Sequence, residues 1–376
     1  MLSLAAMFAV LSYASPASAE LKIGGDAAVR LRSEFNDNKP AGSITDNNDD
    51  LKFQYRIRLK GSADLGSGYF FKTLIQTEET AGGAPVAGGW STVENNNVGA
   101  YNLEVSNFIF GRVLECCHYS MGRIPLNSIN NPIFDLTLYP VPGLFGTSKI
   151  YAVDVPVYQW NFDRVFGFNY GGKFGDGELN TTLVVFDNAT QDNKTDATGD
   201  GLFNDGYALH VAYKTNVGDI KFEPQAIIAL TDVNGLTYSN VSPNTFGANA
   251  TIPAGASKIG LSGFYTICKD HRGNYTGGSA ANIDYNGYLL RAKAESGAIT
   301  AWVDYNRTTD KTSPNYDAKY SNLFVWAQYN LKVHESATGS FNVTPTIRYR
   351  ASEKDFGTGK DKNDQLRGEL YATVTF

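Results

Sequence analysis

Residues 51–60 read LKFQYRIRLK, in which Leu51, Phe53, Tyr55, Ile57 and Leu59 alternate without a break with Lys52, Gln54, Arg56, Arg58 and Lys60. A period of two is the mark of a β-strand, because successive side chains leave opposite faces of the pleated backbone. One face of this strand is wholly apolar and the other cationic. A soluble sheet would turn the apolar face to a core and the charged face to water. A membrane barrel would turn the apolar face to lipid and the polar face to an aqueous lumen.

The alternation recurs along the chain. Ile23, Gly25, Ala27, Val29 and Leu31 oppose Lys22, Asp26, Arg30, Arg32 and Glu34. Near the end, Phe341, Val343, Pro345, Ile347 and Tyr349 oppose Asn342, Thr344, Thr346, Arg348 and Arg350, and Leu370, Ala372, Val374 and Phe376 oppose Arg367, Glu369, Tyr371, Thr373 and Thr375. Similar patterns predict strands over 69–79, 101–110, 178–187, 207–214, 220–231, 288–295, 299–306 and 323–333, with a further hairpin within 233–286 around ASKIGLSGFYTICKD. The total is about sixteen strands.

The connections are of two kinds. ADLGSG (63–68), GDGE (175–178), NVGD (216–219) and ESGA (295–298) are hairpin turn signals. The stretches 36–50, 187–206 and 307–321 are long and polar. Short and long connections alternate, as in an outer-membrane barrel with tight periplasmic turns and longer outer loops. A sandwich or solenoid has no reason to sort its loops in this way. The expected fold is therefore all-β: one transmembrane antiparallel barrel over residues 20–376, with both termini in the periplasm.

Composition narrows the choice further. The 376 residues are 42% hydrophobic and carry a formal charge of −6, with 38 Gly, 22 Tyr, 22 Phe and only three Cys. That balance excludes a broadly basic nucleic-acid binder. Residues 1–19 hold an apolar run ending in Ala17-Ser18-Ala19, which predicts a signal peptide cleaved before Glu20. Past it, no segment reaches the ~18 apolar residues of a membrane helix. Cys116, Cys117 and Cys268 are an odd set for an oxidising compartment, and CCH at 116–118 lacks the spacing of a haem-attachment motif. It reads as a strand end beside a turn, and neither a metal nor a cofactor site is assigned.

The ending LRGELYATVTF resembles the last strand of Gram-negative outer-membrane proteins, with Phe376 terminal and Val374, Ala372 and Leu370 two, four and six positions before it. HYSMGRIPLN (118–127) resembles the porin strand that ends in a Gly-Arg pair and runs into a long third loop. As a whole the chain is similar to general diffusion porins. The resemblance implies that Phe376 belongs to a signal read by the barrel-assembly machinery and that the protein is a homotrimer in outer-membrane lipid and lipopolysaccharide. It also implies that residues 127–156 fold into the lumen as a constriction loop, whose only acids are Asp135 and Asp154. Ile133, Phe134, Leu136, Leu138, Leu144 and Phe145 suit burial against the inner wall better than exposure.

Closure has a consequence for charge. If the first and last strands are neighbours, Arg348, Arg350, Arg367, Arg30, Arg32, Arg56 and Arg58 share one lumen wall, with fewer acids (Asp26, Glu34, Glu369) on the same faces. This basic stripe favours anions, as charged rings do in other pores. The reading is a porin passing small hydrophilic solutes and ions with weak anion preference. The alternative is a substrate-selective channel with an anion or sugar site, the latter on lumen-facing Trp302 and Trp326. A barrel enzyme is disfavoured: His118, His210, His271 and His334 are the only imidazoles, and only His210 lies inside a clear strand. The Asp-rich stretch 187–206 lacks EF-hand spacing and reads as a solvated loop.

Overall fold

The computed structural model describes residues 20–78, 80–81, 84–85, 90–92, 102–124, 131–133, 165–185, 206–232, 238–271, 273–275 and 279–376. The leader, Asp135, Asp154 and most of 187–206 lie outside them. Sixteen strands build the barrel. In chain order these are β1 (Glu20–Lys39), β2 (Asp46–Gly66), β3 (Tyr69–Glu78), β4 (Asn102–Val113), β5 (Cys117–Ile124), β6 (Val165–Phe174), β7 (Gly177–Val185) and β8 (Tyr207–Val217). There follow β9 (Ile220–Ala229), β10 (Asn244–Ala254), β11 (Ser257–Asp270), β12 (Ile283–Ser296), β13 (Ile299–Asp310), β14 (Ala318–Tyr329, continued by Leu331–Ser336), β15 (Gly339–Asp355) and β16 (Lys360–Thr375).

Each strand pairs antiparallel with its predecessor, and β16 pairs with β1 from Asp26 opposite Thr375 to Lys39 opposite Lys362. The ring is closed, which spares the sheet an open edge strand in lipid. Along β1 and β2 the large apolar side chains are the exposed ones, among them Val29, Leu31, Phe53 and Ile57, whereas Arg30, Arg32, Glu34 and Gln54 are buried. That inversion answers the question raised by residues 51–60: the apolar face meets lipid and the cationic face meets the lumen. Turning one Arg outward at mid-membrane would cost about 2–4 kcal/mol.

Tight turns fall where the Gly-Asp and Gly-Ser signals predicted, after β2, β6, β8 and β12, and Glu20 and Phe376 lie on that side. The polar stretches 36–50 and 307–321 are not loops throughout. Asn36, Asp37 and Asn38 pair with Asn48, Asn47 and Asp46, and β13 runs on to Asp310 before β14 begins at Ala318. With 20 and 21 residues, β1 and β2 are about twice the 9–11 residues that span the hydrocarbon core. Their outer ends stand in water, where the apolar half of the alternation has nothing to bury, so the sequence reads as loop although the ladder continues. The pattern also misses β6, whose sequence VFGFNYGGKF places glycine where lumen-facing polar residues would mark the period.

Two ladders break at proline. Between β8 and β9 the pairing skips from Ala212–Gln225 to Thr215–Phe222, beside Pro224. Between β14 and β15 it lapses at Asn330, beside Pro345. Proline donates no amide hydrogen to a ladder. Through the second break β14 stays tied to β13, the Asn330 amide donating to the Ala298 carbonyl at 2.8 Å.

The lumen has two unlike sides. Lumen-facing Val184, Ala208, Ile227, Phe264, Cys268, Ile283, Tyr285, Leu289, Trp302 and Phe324 form one buried apolar cluster with Ile133, Tyr238 and Val241 from inter-strand segments. Apolar side chains on a lumen wall would be costly against water. Here they are covered by chain folded inward.

A basic wall facing an inward-folded segment

Asn131–Ile133 are the described residues of the predicted constriction loop, and they sit on the apolar side. The Asn131 amide donates to Gln225 Oε1 at 3.1 Å and accepts from Gln225 Nε2 at 3.2 Å and Asn249 Nδ2 at 3.1 Å. Gln225 lies on β9 and Asn249 on β10, so two adjacent strands clasp one side chain. His210 on β8 bonds Gln225 Oε1 through Nε2 at 2.8 Å. His210 thus braces this anchor, and it is not alone in a strand as the pattern predicts: His118 lies in β5 and His334 in the continuation of β14. The preceding Gly122 has φ of +126°, and a side chain there would collide with the Phe108 carbonyl, so backbone conformation and close approach both require the glycine of the Gly-Arg pair. Arg123 points away from the lumen and bonds the Val105 carbonyl at 3.1 Å.

Across the barrel stand the seven predicted arginines. β9 is eight strands from β1 in either direction round the ring of sixteen, so the loop anchor and the basic wall face one another. Arg348 and Arg350 of β15, Arg367 of β16, Arg30 and Arg32 of β1 and Arg56 and Arg58 of β2 all lie on lumen-facing positions. The wall continues upward in buried amides, with Asn363 donating to Asn38 at 3.0 Å and Gln365 to Glu34 at 2.9 Å.

The three predicted acids are set among these cations. Glu369 meets Arg32 at 2.6 Å, Arg348 at 2.6 Å and Arg30 at 3.5 Å. Asp26 meets Arg58 at 2.8 Å, Arg56 at 3.6 Å and Lys60 at 3.6 Å. Glu34 meets Arg367 at 2.9 Å and Arg32 at 4.0 Å. One carboxylate fastens two or three guanidiniums that would otherwise repel one another. Seven arginines against three acids make an excess of four arginines, and Lys60 adds a further cation beside Asp26.

Trp302 and Trp326 face the lumen as predicted, with ring centroids 4.6 Å apart and planes 14° from parallel. Arg348 lies 3.6 Å from the Trp326 centroid. The pair therefore spends its faces on itself and on a guanidinium, and offers no open plate for a sugar. Sequence reasoning missed Trp90 altogether. It lies in AGGAPVAGGWSTV, a stretch without alternation, yet it is buried against Arg30 at 4.1 Å and Arg56 at 4.7 Å. The three cysteines are free: Cys268 is buried in the apolar cluster, Cys116 sits in the turn before β5 and Cys117 opens that strand, with the two Sγ atoms 2.9 Å apart.

A closed barrel with an apolar exterior, a charged lumen and a segment anchored inside it is the build of an outer-membrane channel. The chain belongs to the Gram-negative porin family, whose model matches residues 3–340. Among solved structures, the anion-selective porin of Comamonas acidovorans shares the fold at 16% identity, with 94% of this chain and 100% of that one covered and a TM-score of 0.52. OpdK of Pseudomonas aeruginosa, solved with vanillate, matches at 11% identity over 94% of this chain and 99% of that one, with a TM-score of 0.47. A trimeric form of OmpT from Vibrio cholerae matches at 9% identity over 93% and 99%, with a TM-score of 0.48. A comparison of the sequence with curated proteins gave no match.

Proposed function

We propose that this porin is a passive channel for small hydrophilic solutes and ions with a weak preference for anions. The observation that carries the reading is the excess of arginine on one lumen wall, opposite the anchored segment. Charges lining a narrow passage act on an ion at close range in a partly excluded medium, whereas loop charges are screened beyond ~8 Å at physiological salt. The wall therefore outweighs the formal charge of −6 on the whole chain. Residues 1–19 are a leader removed on export, 20–376 form the inserted barrel with the termini in the periplasm, and 127–156 narrow the channel. The working assembly is a homotrimer in lipopolysaccharide-bearing membrane.

Replacing Arg30, Arg32, Arg56 and Arg58 with Ser leaves three arginines against three acids on the wall. In planar bilayers the variant should lose the anion preference while keeping its barrel, read as heat-dependent mobility on gels. An unchanged reversal potential would leave the wall with no part in selectivity.

A further inference from the structure

The ladder between β2 and β3 stops at Arg58 opposite Gln76. Above that point β3 stays paired with β4 and holds β2 only through the Ile57 amide, which donates to Thr77 Oγ1 at 3.1 Å among the described residues; higher up the backbone of β2 is taken by another segment, with Gln54 paired to Thr92 and Tyr55 to Ser91. The strap enters from the connection between β3 and β4, and Trp90 is the residue that precedes its paired part. The indole is 6% exposed. The Arg30 guanidinium carbon lies 4.1 Å from its ring centroid and that of Arg56 lies 4.7 Å away. Tyr371 meets it edge-on at 5.4 Å, with the planes 67° apart.

We propose that Trp90 is a specificity-determining residue of the channel: it covers Arg30 and Arg56 and limits how much of the wall's positive charge a passing anion can approach. An aromatic face attracts a guanidinium through its quadrupole, more strongly where water is excluded. It also blocks the flat face by which a guanidinium meets other groups. Arg30 and Arg56 keep their in-plane partners beneath the cover, Arg30 donating to Gln54 Oε1 at 2.6 Å and Arg56 meeting Asp26 at 3.6 Å. The strap adds no charge of its own at Trp90, so its effect on ions is one of access.

The inference rests on the anion preference assigned to the wall, and the two fail separately. In planar bilayers Trp90→Ala should raise the anion-to-cation permeability ratio by roughly twofold, with higher single-channel conductance, as two covered guanidiniums open to the pore. Trp90→Phe keeps a covering ring and should stay near wild type. In a background carrying Arg30→Ser and Arg56→Ser, Trp90→Ala should change nothing. A Trp90→Ala channel with wild-type selectivity and intact heat-dependent mobility overturns the proposal, as does a shift toward cations. The packing has its own readout: the emission lost in Trp90→Phe should be blue-shifted and protected from iodide. Iodide quenching of that component would show the indole uncovered and overturn the proposal even where the wall itself proves anion-selective.

Discussion

Glu369 shows how single side chains set the lumen's properties. It is the shared partner of Arg30, Arg32 and Arg348, and it also accepts from the Tyr371 hydroxyl at 2.7 Å. Removing one partner from a buried ion pair costs about 3–5 kcal/mol, because the remaining charges are left desolvated and uncompensated. Glu369→Gln should therefore lower the temperature at which the barrel loses its folded gel mobility, and the surviving channels should be more anion-selective, with an excess of five arginines over acids instead of four. A fall in anion selectivity would show that the wall does not act through its net charge. The inward direction of Glu369 and of each arginine was legible from period two alone. Their partners were not, because Arg32 and Glu369 are 337 residues apart and meet only through closure and register. The cysteines divide by place. Their mutual hydrogen bond holds the Cys116 thiol above its ordinary pKa, so alkylation there should be slow at neutral pH and quicken as pH rises. Mass spectrometry of the folded barrel should find Cys116 and Cys117 modified and buried Cys268 untouched, and early labelling of Cys268 would contradict its place in the apolar cluster.

Among elements, the seam between β1 and β16 decides whether the sheet becomes a barrel. Its last bonds come from the terminal residue: Gly25 donates to the Phe376 carbonyl at 2.8 Å and Phe376 donates back at 3.1 Å. The Phe376 ring lies against Gly25, where an added Cβ would also strike the Arg58 carbonyl. Deleting Phe376, or replacing Gly25 with Val, should reduce the fraction of chains recovered as folded barrel while export proceeds. A normal yield after Phe376 deletion would remove the terminal residue from both closure and assembly. Strand existence was readable where lipid faced one side and polar lumen residues the other, since the two together make the alternation. It faded above the membrane in β1, β2 and β13, where both faces are wet, and in β6, where glycines erase the polar half of the pattern. The clasp of Asn131 by Gln225 and Asn249 had no signal of any kind in sequence, because amides in a strand read as ordinary lumen residues.

At the scale of the whole molecule two charge balances oppose each other: −6 over the chain and an excess of four arginines on one wall. The wall prevails if ions respond to the charges nearest their path. The most direct measurement is the reversal potential of the wild-type channel across a tenfold potassium chloride gradient, first at low salt and then near 1 M, where the screening length falls to about 3 Å. The sign should mark anion preference at low salt, and its size should shrink as salt rises. Cation preference at low salt would mean that the chain's acidic surface, not the arginine wall, governs what passes.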